Sequence, residues 1–233
     1  MRLAFTAANG AKTDDHVITA AKITVGGHAI PRPGGGWSYN GAAGAAGSDT
    51  QLTPDAPNKA GAVVYAVPVL AAGLKVTFDA QLGGDGGQGG DGLTFALLNP
   101  AKTTSGSVGD PGVMLGLGTK SGVPGVGVVL ATDGPTSPAG FVGISTRAGL
   151  NGLRYQRTAR GIGSLTLGTN TVSVTVSRLK NFGPVVTVYL DGVQQLQLAE
   201  PTLTSTVRLA FTAGTGAATE LHLIRSVSIS AAG

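Results

Sequence analysis

Val172-Ser173-Val174-Thr175-Val176-Ser177 alternates apolar residues with small hydroxyl residues at a period of two. Successive side chains of a strand point to opposite faces of its sheet, so this period marks a strand with one face on a core. Val186, Val188 and Leu190 repeat the pattern, Asp191-Gly192 supplies the two residues of a tight turn, and Leu196 and Leu198 lie on the returning segment. Together they predict an antiparallel meander. Strands are predicted on the same grounds over residues 60–69, 74–82, 93–98, 126–132 and 141–146, each bounded by Gly, Pro, Asn or Asp. No window carries a helical period. Half-buried sheets must cover their apolar faces with one another, so the predicted class is all-β, a two-sheet antiparallel β-sandwich.

At 233 residues the chain can bury the core of one large sandwich. Its 39 glycines and 12% charged residues would suit low complexity, but 42% hydrophobic content is too apolar for disorder, so the glycines punctuate strands. The absence of cysteine removes disulfides, thiolate metal sites and cysteine nucleophiles together. The net charge of +4 is a weak excess, with one local cluster at Arg154, Arg157 and Arg160. On a strand Arg154 and Arg160 share a face and Arg157 takes the other. A phosphate-tracking groove collects more cations and aromatics than this, so nucleic acid is not an expected partner. No apolar run approaches the roughly 18 residues of a membrane span, so no membrane insertion is expected. The opening MRLAFTAANGA is too short in apolar length to be read as a signal peptide.

The chain repeats part of itself. Residues 2–25 (RLAFTAANGAKTDDHVITAAKITV) align without a gap onto residues 208–231 (RLAFTAGTGAATELHLIRSVSISA), and roughly half the positions are identical. Residues 1–29 are therefore expected to be a copy of the C-terminal β-hairpin, either the remnant of a preceding repeat or a strand-exchange segment. Residues 30–36, IPRPGGG, read as a linker, and residues 37–233 as the sandwich.

Four further stretches carry a resemblance. They are WSYNGAAGAAGSDTQLTPDAPNKAG from residue 37, FDAQLGGDGGQGGDGLTFALLNP from residue 78, GVMLGLGTKSG from residue 112 and VRLAFTAGTGAATELHLIRSVSIS from residue 207. Their order resembles the L-type (legume-type) lectin family, in particular its bacterial, tandem-module branch, within the concanavalin A-like lectin/glucanase superfamily. The resemblance implies a concanavalin A-like jelly roll and a carbohydrate-binding site. In that site Asp91 would accept from sugar hydroxyls, Gly112 would be the backbone donor, and Gly214, Thr215, Gly216, Ala217 and Ala218 would form the variable wall that sets specificity. The arrangement is sound chemistry, because one carboxylate can accept from two hydroxyls at once while a glycine lets a backbone N–H come close.

The same resemblance implies a calcium and manganese pair, which in the family holds the peptide before Asp91 in its cis form. Here VGVVLATDGP and TSPAGFVGIS place Val129, Ala131, Pro135, Thr136 and Phe141 at the ligand positions, leaving almost no oxygen or imidazole donor. No cofactor is therefore expected, and Asp133 reads as the first residue of an Asp-Gly turn.

The superfamily also contains glycoside hydrolases, which need two carboxylates flanking the bond. This chain has only Glu200 and Glu220 as glutamates, on separate segments, and no G-x-S-x-G elbow for its histidines His16, His28 and His222. His222 recurs as His16 in the repeat, which points to a structural role. Trp37 and Tyr39 are expected to be packing residues. The expected function is thus a non-catalytic carbohydrate-binding module with a glycan or glycosylated surface as partner, placed outside the cell, on its surface or on a virion. Sheet edges and the N-terminal copy offer routes to a homo-oligomer. The alternative is a structural or adhesion subunit, such as a virion fibre or filament unit, that keeps the fold without sugar binding.

Overall fold

The computed structural model describes residues 28–83, 90–132, 140–200 and 202–231. Residues 1–27, residues 84–89 of the glycine-rich loop, and Asp133, Pro135 and Thr136 lie outside the described residues. The strands in chain order are β1 (His28–Ile30), β2 (Trp37–Gly41), β3 (Gly44–Ala46), β4 (Asp49–Thr53), β5 (Ala60–Tyr65), β6 (Val69–Leu70), β7 (Lys75–Leu82) and β8 (Gly92–Leu98). After a single 3-10 turn at Gly112–Met114 come β9 (Gly125–Ala131), β10 (Phe141–Gly149), β11 (Gly152–Ala159), β12 (Thr169–Leu179), β13 (Gly183–Leu190), β14 (Val193–Ala199), β15 (Thr206–Gly214) and β16 (His222–Ala231). The first sheet runs β14-β13-β12-β7-β16-β4-β3 with β1 beside β16, and the second runs β11-β10-β9-β8-β15-β5-β2 with β6 beside β15. All pairings within them are antiparallel among the described residues. The all-β, two-sheet sandwich expected from the alternation is the observed architecture.

The meander forms as its sequence dictates. Val172 pairs with Leu190, Val174 with Val188 and Val176 with Val186, so the apolar sets of β12 and β13 face the same way. Asp191 (φ 49°) and Gly192 (φ 80°) both take the positive φ that a tight right-twisting hairpin turn requires. On the outward face, Thr77 and Ser173 pair through their hydroxyls at 2.8 Å across β7 and β12. Between the sheets lies the main core, centred on Phe78, Phe95 and Phe211, whose ring centroids are 5.0–6.1 Å apart. Trp37 joins it beside Phe211 and Tyr65, and Tyr39 packs at its margin, so both are packing residues.

The second sheet departs from simple alternation, because β8 is buried at every residue. Its outward side chains, with Ala62, Val64, Val129, Ala131 and Ala210, meet Met114, Leu115 and Leu117 in a second core. These last three sit on the connection spanning residues 99–124, which lies flat over the outer face of the second sheet. Gly127 permits that approach, since a Cβ there would overlap the Leu117 side chain and come within 2.9 Å of Thr94 Cγ2.

Three expectations are corrected. The strand predicted over 60–69 ends at Tyr65 and resumes as β6, because Pro68 has no N–H for a continuous ladder. Residue 30, placed at the start of a linker, is Ile30 in strand β1, 5% exposed and part of the main core, while Pro31 accepts a hydrogen bond from Trp37 Nε1 at 2.8 Å. The closing segment is not a hairpin, since β15 belongs to the second sheet and β16 to the first. The connection between β15 and β16 crosses from one layer to the other, so the two strands pair with others and not with each other.

Candidate functional site

Asp91 stands at the entrance to β8, 8% exposed, after a cis Gly90–Asp91 peptide. Its backbone is fixed on both sides, the N–H donating to Gly214 O (3.0 Å) and the carbonyl accepting from Thr132 N (3.1 Å). Two glycines from different loops converge on its carboxylate. A Cβ on Gly216 would lie 3.0 Å from Asp91 Oδ2, and one on Gly112 (φ 63°) would lie 3.4 Å from the same oxygen. A side chain at either position would crowd the carboxylate, so glycine lets both loops pack close against it.

The residues singled out in the sequence come together here, but their roles differ from those expected. The Gly112 N–H, expected to face a sugar, donates to Thr215 O at 3.1 Å. Gly214 is not a loop residue but the last residue of β15, paired with Gly92 and Ala60. Thr215 is fully buried, its hydroxyl donating to Ala56 O (2.6 Å) and accepting from Lys59 N (2.9 Å), so it braces the loop and forms no exposed wall. Gly216, Ala217 and Ala218 are the members of the predicted wall that reach solvent. The physical reason is that β15 continues one residue further than its apolar pattern shows, holding Gly214 in the ladder between β8 and β5 and burying Thr215 just beyond it.

Sequence reading missed what surrounds Asp91. Tyr155 on β11 lies close enough for the Asp91 charge to act on it, and its phenol is pushed up to about 12 by burial first and by that charge second. The Tyr155 ring meets Phe141 edge-on at 4.9 Å between centroids, and the Arg160 guanidinium sits 5.2 Å over the Phe141 ring. Arg154, Arg157 and Arg160 are all exposed. Behind Asp91, Glu220 and His222 are fully buried and contact each other at 3.0 Å. Glu200, by contrast, closes a local turn by accepting from the Thr202 N–H (3.1 Å) and hydroxyl.

Of the five positions expected to bear metal ligands, Pro135 and Thr136 lie outside the described residues. Val129 and Ala131 are buried in the second core with no donor to offer, Phe141 is stacked as above, and no group of three His, Asp or Glu among the described residues could hold a metal ion. A cavity of about 310 Å³ lies along the same connection, lined by Lys102, Thr103, Ser107, Thr119, Ser121 and Thr212 among others. None of its lining residues is Asp91, Gly112 or a member of 214–218, so size and chemistry point to different places. The convergence of two glycine loops on a carboxylate is the more specific feature.

This geometry places the chain in one fold class, the L-type lectin sandwich. No family model and no curated protein matches the chain. Solved structures do. A lectin from Bauhinia forficata in complex with GalNAc is similar over 88% of this chain and 96% of its own, with a TM-score of 0.70 at 20% identity. Peanut lectin covers 89% of this chain and 97% of its own, with a TM-score of 0.67 at 22% identity. The exoplasmic/lumenal domain of VIP36, in a Ca2+/Man-bound form, covers 83% and 82%, with a TM-score of 0.64 at 16% identity. The fold is therefore that of the legume and VIP36-type lectin domains.

Proposed function

We propose that the chain is a non-catalytic glycan-binding module that works without the calcium and manganese pair, with Asp91 as the acceptor for two sugar hydroxyls. The observation that carries this reading is the convergence of Gly112 and Gly216, from two separate loops, on Asp91 Oδ2. A carboxylate there forms charge-assisted hydrogen bonds, the strong kind that a hydroxyl-rich ligand can use. The neighbours support it, since the Bauhinia lectin holds GalNAc and VIP36 holds mannose on the same fold. Against catalysis stands the placement of both glutamates: Glu200 serves a turn, and Glu220 is sealed behind Asp91 with no route to a scissile bond. We place the module outside the cell, or on a cell or virion surface, facing a glycosylated partner.

The test is binding to neoglycoproteins bearing galactose, GalNAc, mannose or glucose, with and without EDTA. Binding insensitive to EDTA and weakened at least about 100-fold by Asp91→Ala is expected, as two hydrogen bonds to a charged group are lost. Binding that survives Asp91→Ala refutes the site. One observation favours the structural or adhesion alternative: the Gly112 N–H and the Thr215 hydroxyl are already spent inside the protein. Silence across the glycan panel, with the fold intact, selects that alternative.

A further inference from the structure

We propose that Glu220 is the positioning residue of the Asp91 site, a buried carboxylate that clamps the chain on both sides of Asp91. The proposal rests on the glycan-binding reading above and names what orders that site. A single oxygen, Glu220 Oε2, gathers the Gly90 N–H at 3.4 Å, the Thr132 hydroxyl at 2.6 Å and His222 Nε2 at 3.0 Å. The other ring nitrogen, His222 Nδ1, lies 2.6 Å from Thr53 Oγ1 on β4. Gly90 immediately precedes Asp91, and the Thr132 N–H donates to the Asp91 carbonyl at 3.1 Å. Glu220 thus reaches one residue before Asp91 directly and the residue that holds the Asp91 carbonyl through its hydroxyl.

Energetics explain why a carboxylate at this place calls for a role. Burying a charge is costly, and an apolar residue of similar size is often the more stable choice. Glu220 and His222 are both 0% exposed, and Glu220 Oε1 has no hydrogen-bond partner among the described residues. What offsets the cost is the set of hydrogen bonds from Gly90, Thr132 and His222, two of which fix residues that hold the Asp91 backbone. His222 holds the carboxylate and Thr53 holds His222, so the clamp is anchored in the first sheet while the aspartate it serves opens the second. The acid and the histidine two residues later occur again in the repeat, as Asp14 and His16 in TDDH against TELH.

The experiment reads amide hydrogen exchange at Gly90 and Thr132 in the full chain, beside affinity for whichever neoglycoprotein of the panel binds. Glu220→Gln is expected to speed exchange at both amides about 10-fold or more and to weaken binding by a similar factor, while amides of β12 and β13 keep their wild-type rates. Thr132→Val, which removes one donor, reports on the clamp should Glu220→Gln fail to fold, and is expected to accelerate Thr132 while Gly90, still bonded to Glu220, keeps its rate. Glu200→Gln, also buried but bonded only within its own turn, is the control and leaves both exchange and affinity unchanged. Wild-type exchange at Gly90 and Thr132 in the Glu220 and Thr132 variants overturns the proposal. Accelerated exchange in a chain that binds no glycan instead overturns the glycan-binding reading and leaves the clamp standing.

Discussion

The outward faces of the two sheets begin from the same kind of strand and end differently. On the first sheet, Ser173, Thr175 and Ser177 of β12 and Thr77 of β7 face outward as half-buried or exposed hydroxyl residues. On the second, the outward positions of β8 and β9 are Thr94, Ala96, Leu98, Val129 and Ala131, closed over by Leu115 and Leu117. The difference teaches where the site comes from. A sheet face left to water needs only polar residues, whereas a covered face needs a long connection, and that connection carries Gly112 to Asp91. Burial of the second outward face and assembly of the candidate site are one event.

The largest break in this comparison is Leu115→Ala. Leu115, on the connection itself, is 1% exposed, so its truncation is expected to cost about 2–5 kcal/mol by urea denaturation and to loosen Gly112, weakening any glycan binding as well. Gly127→Ala tests the approach of the connection itself: the added methyl meets Leu117 and Thr94, and a loss of about 1–3 kcal/mol is expected by the same measurement. On the other face, Ser173→Ala removes a single hydroxyl pair with Thr77, and a change of about 0.5–1.5 kcal/mol without any effect on binding is expected. Should Ser173→Ala prove as costly as Leu115→Ala, the contrast between the faces fails.

The smallest effect is on pH dependence. The folded pKa of Tyr155 is raised from 10.0 to about 12, so its neutral form is favoured by folding. The stability this contributes is complete below pH 10 and is lost as pH rises from there toward 12. Denaturation midpoints across that window should fall less steeply for Tyr155→Phe than for the wild type, and Asp91→Asn should also reduce the slope by removing the second cause of the shift.

Much of this was legible in particular residues. The meander could be placed to the residue, because alternation fixed its faces and Asp191-Gly192 fixed its turn. Asp91, Gly112 and Gly216 were found through their motifs and do converge. Glu220 shows in the sequence only as one of two glutamates on separate segments, since its partners Gly90 and Thr132 are 130 and 88 residues away and no local pattern announces them. Tyr155 carries no local signal either, because the Asp91 charge that acts on it lies at the entrance to a different strand.

By itself the sequence determined the all-β class, the faces of the regular strands and the loops on which the candidate site residues lie. Those are consequences of side-chain alternation and turn chemistry, which act over a few residues. Only the tertiary structure decided that the closing segment splits between two sheets, that the 99–124 connection seals a second core, and that Glu220 closes on Gly90 and Thr132. Each of these depends on which surfaces meet after the chain collapses, and burial, unlike alternation, is a property of pairs of segments rather than of one.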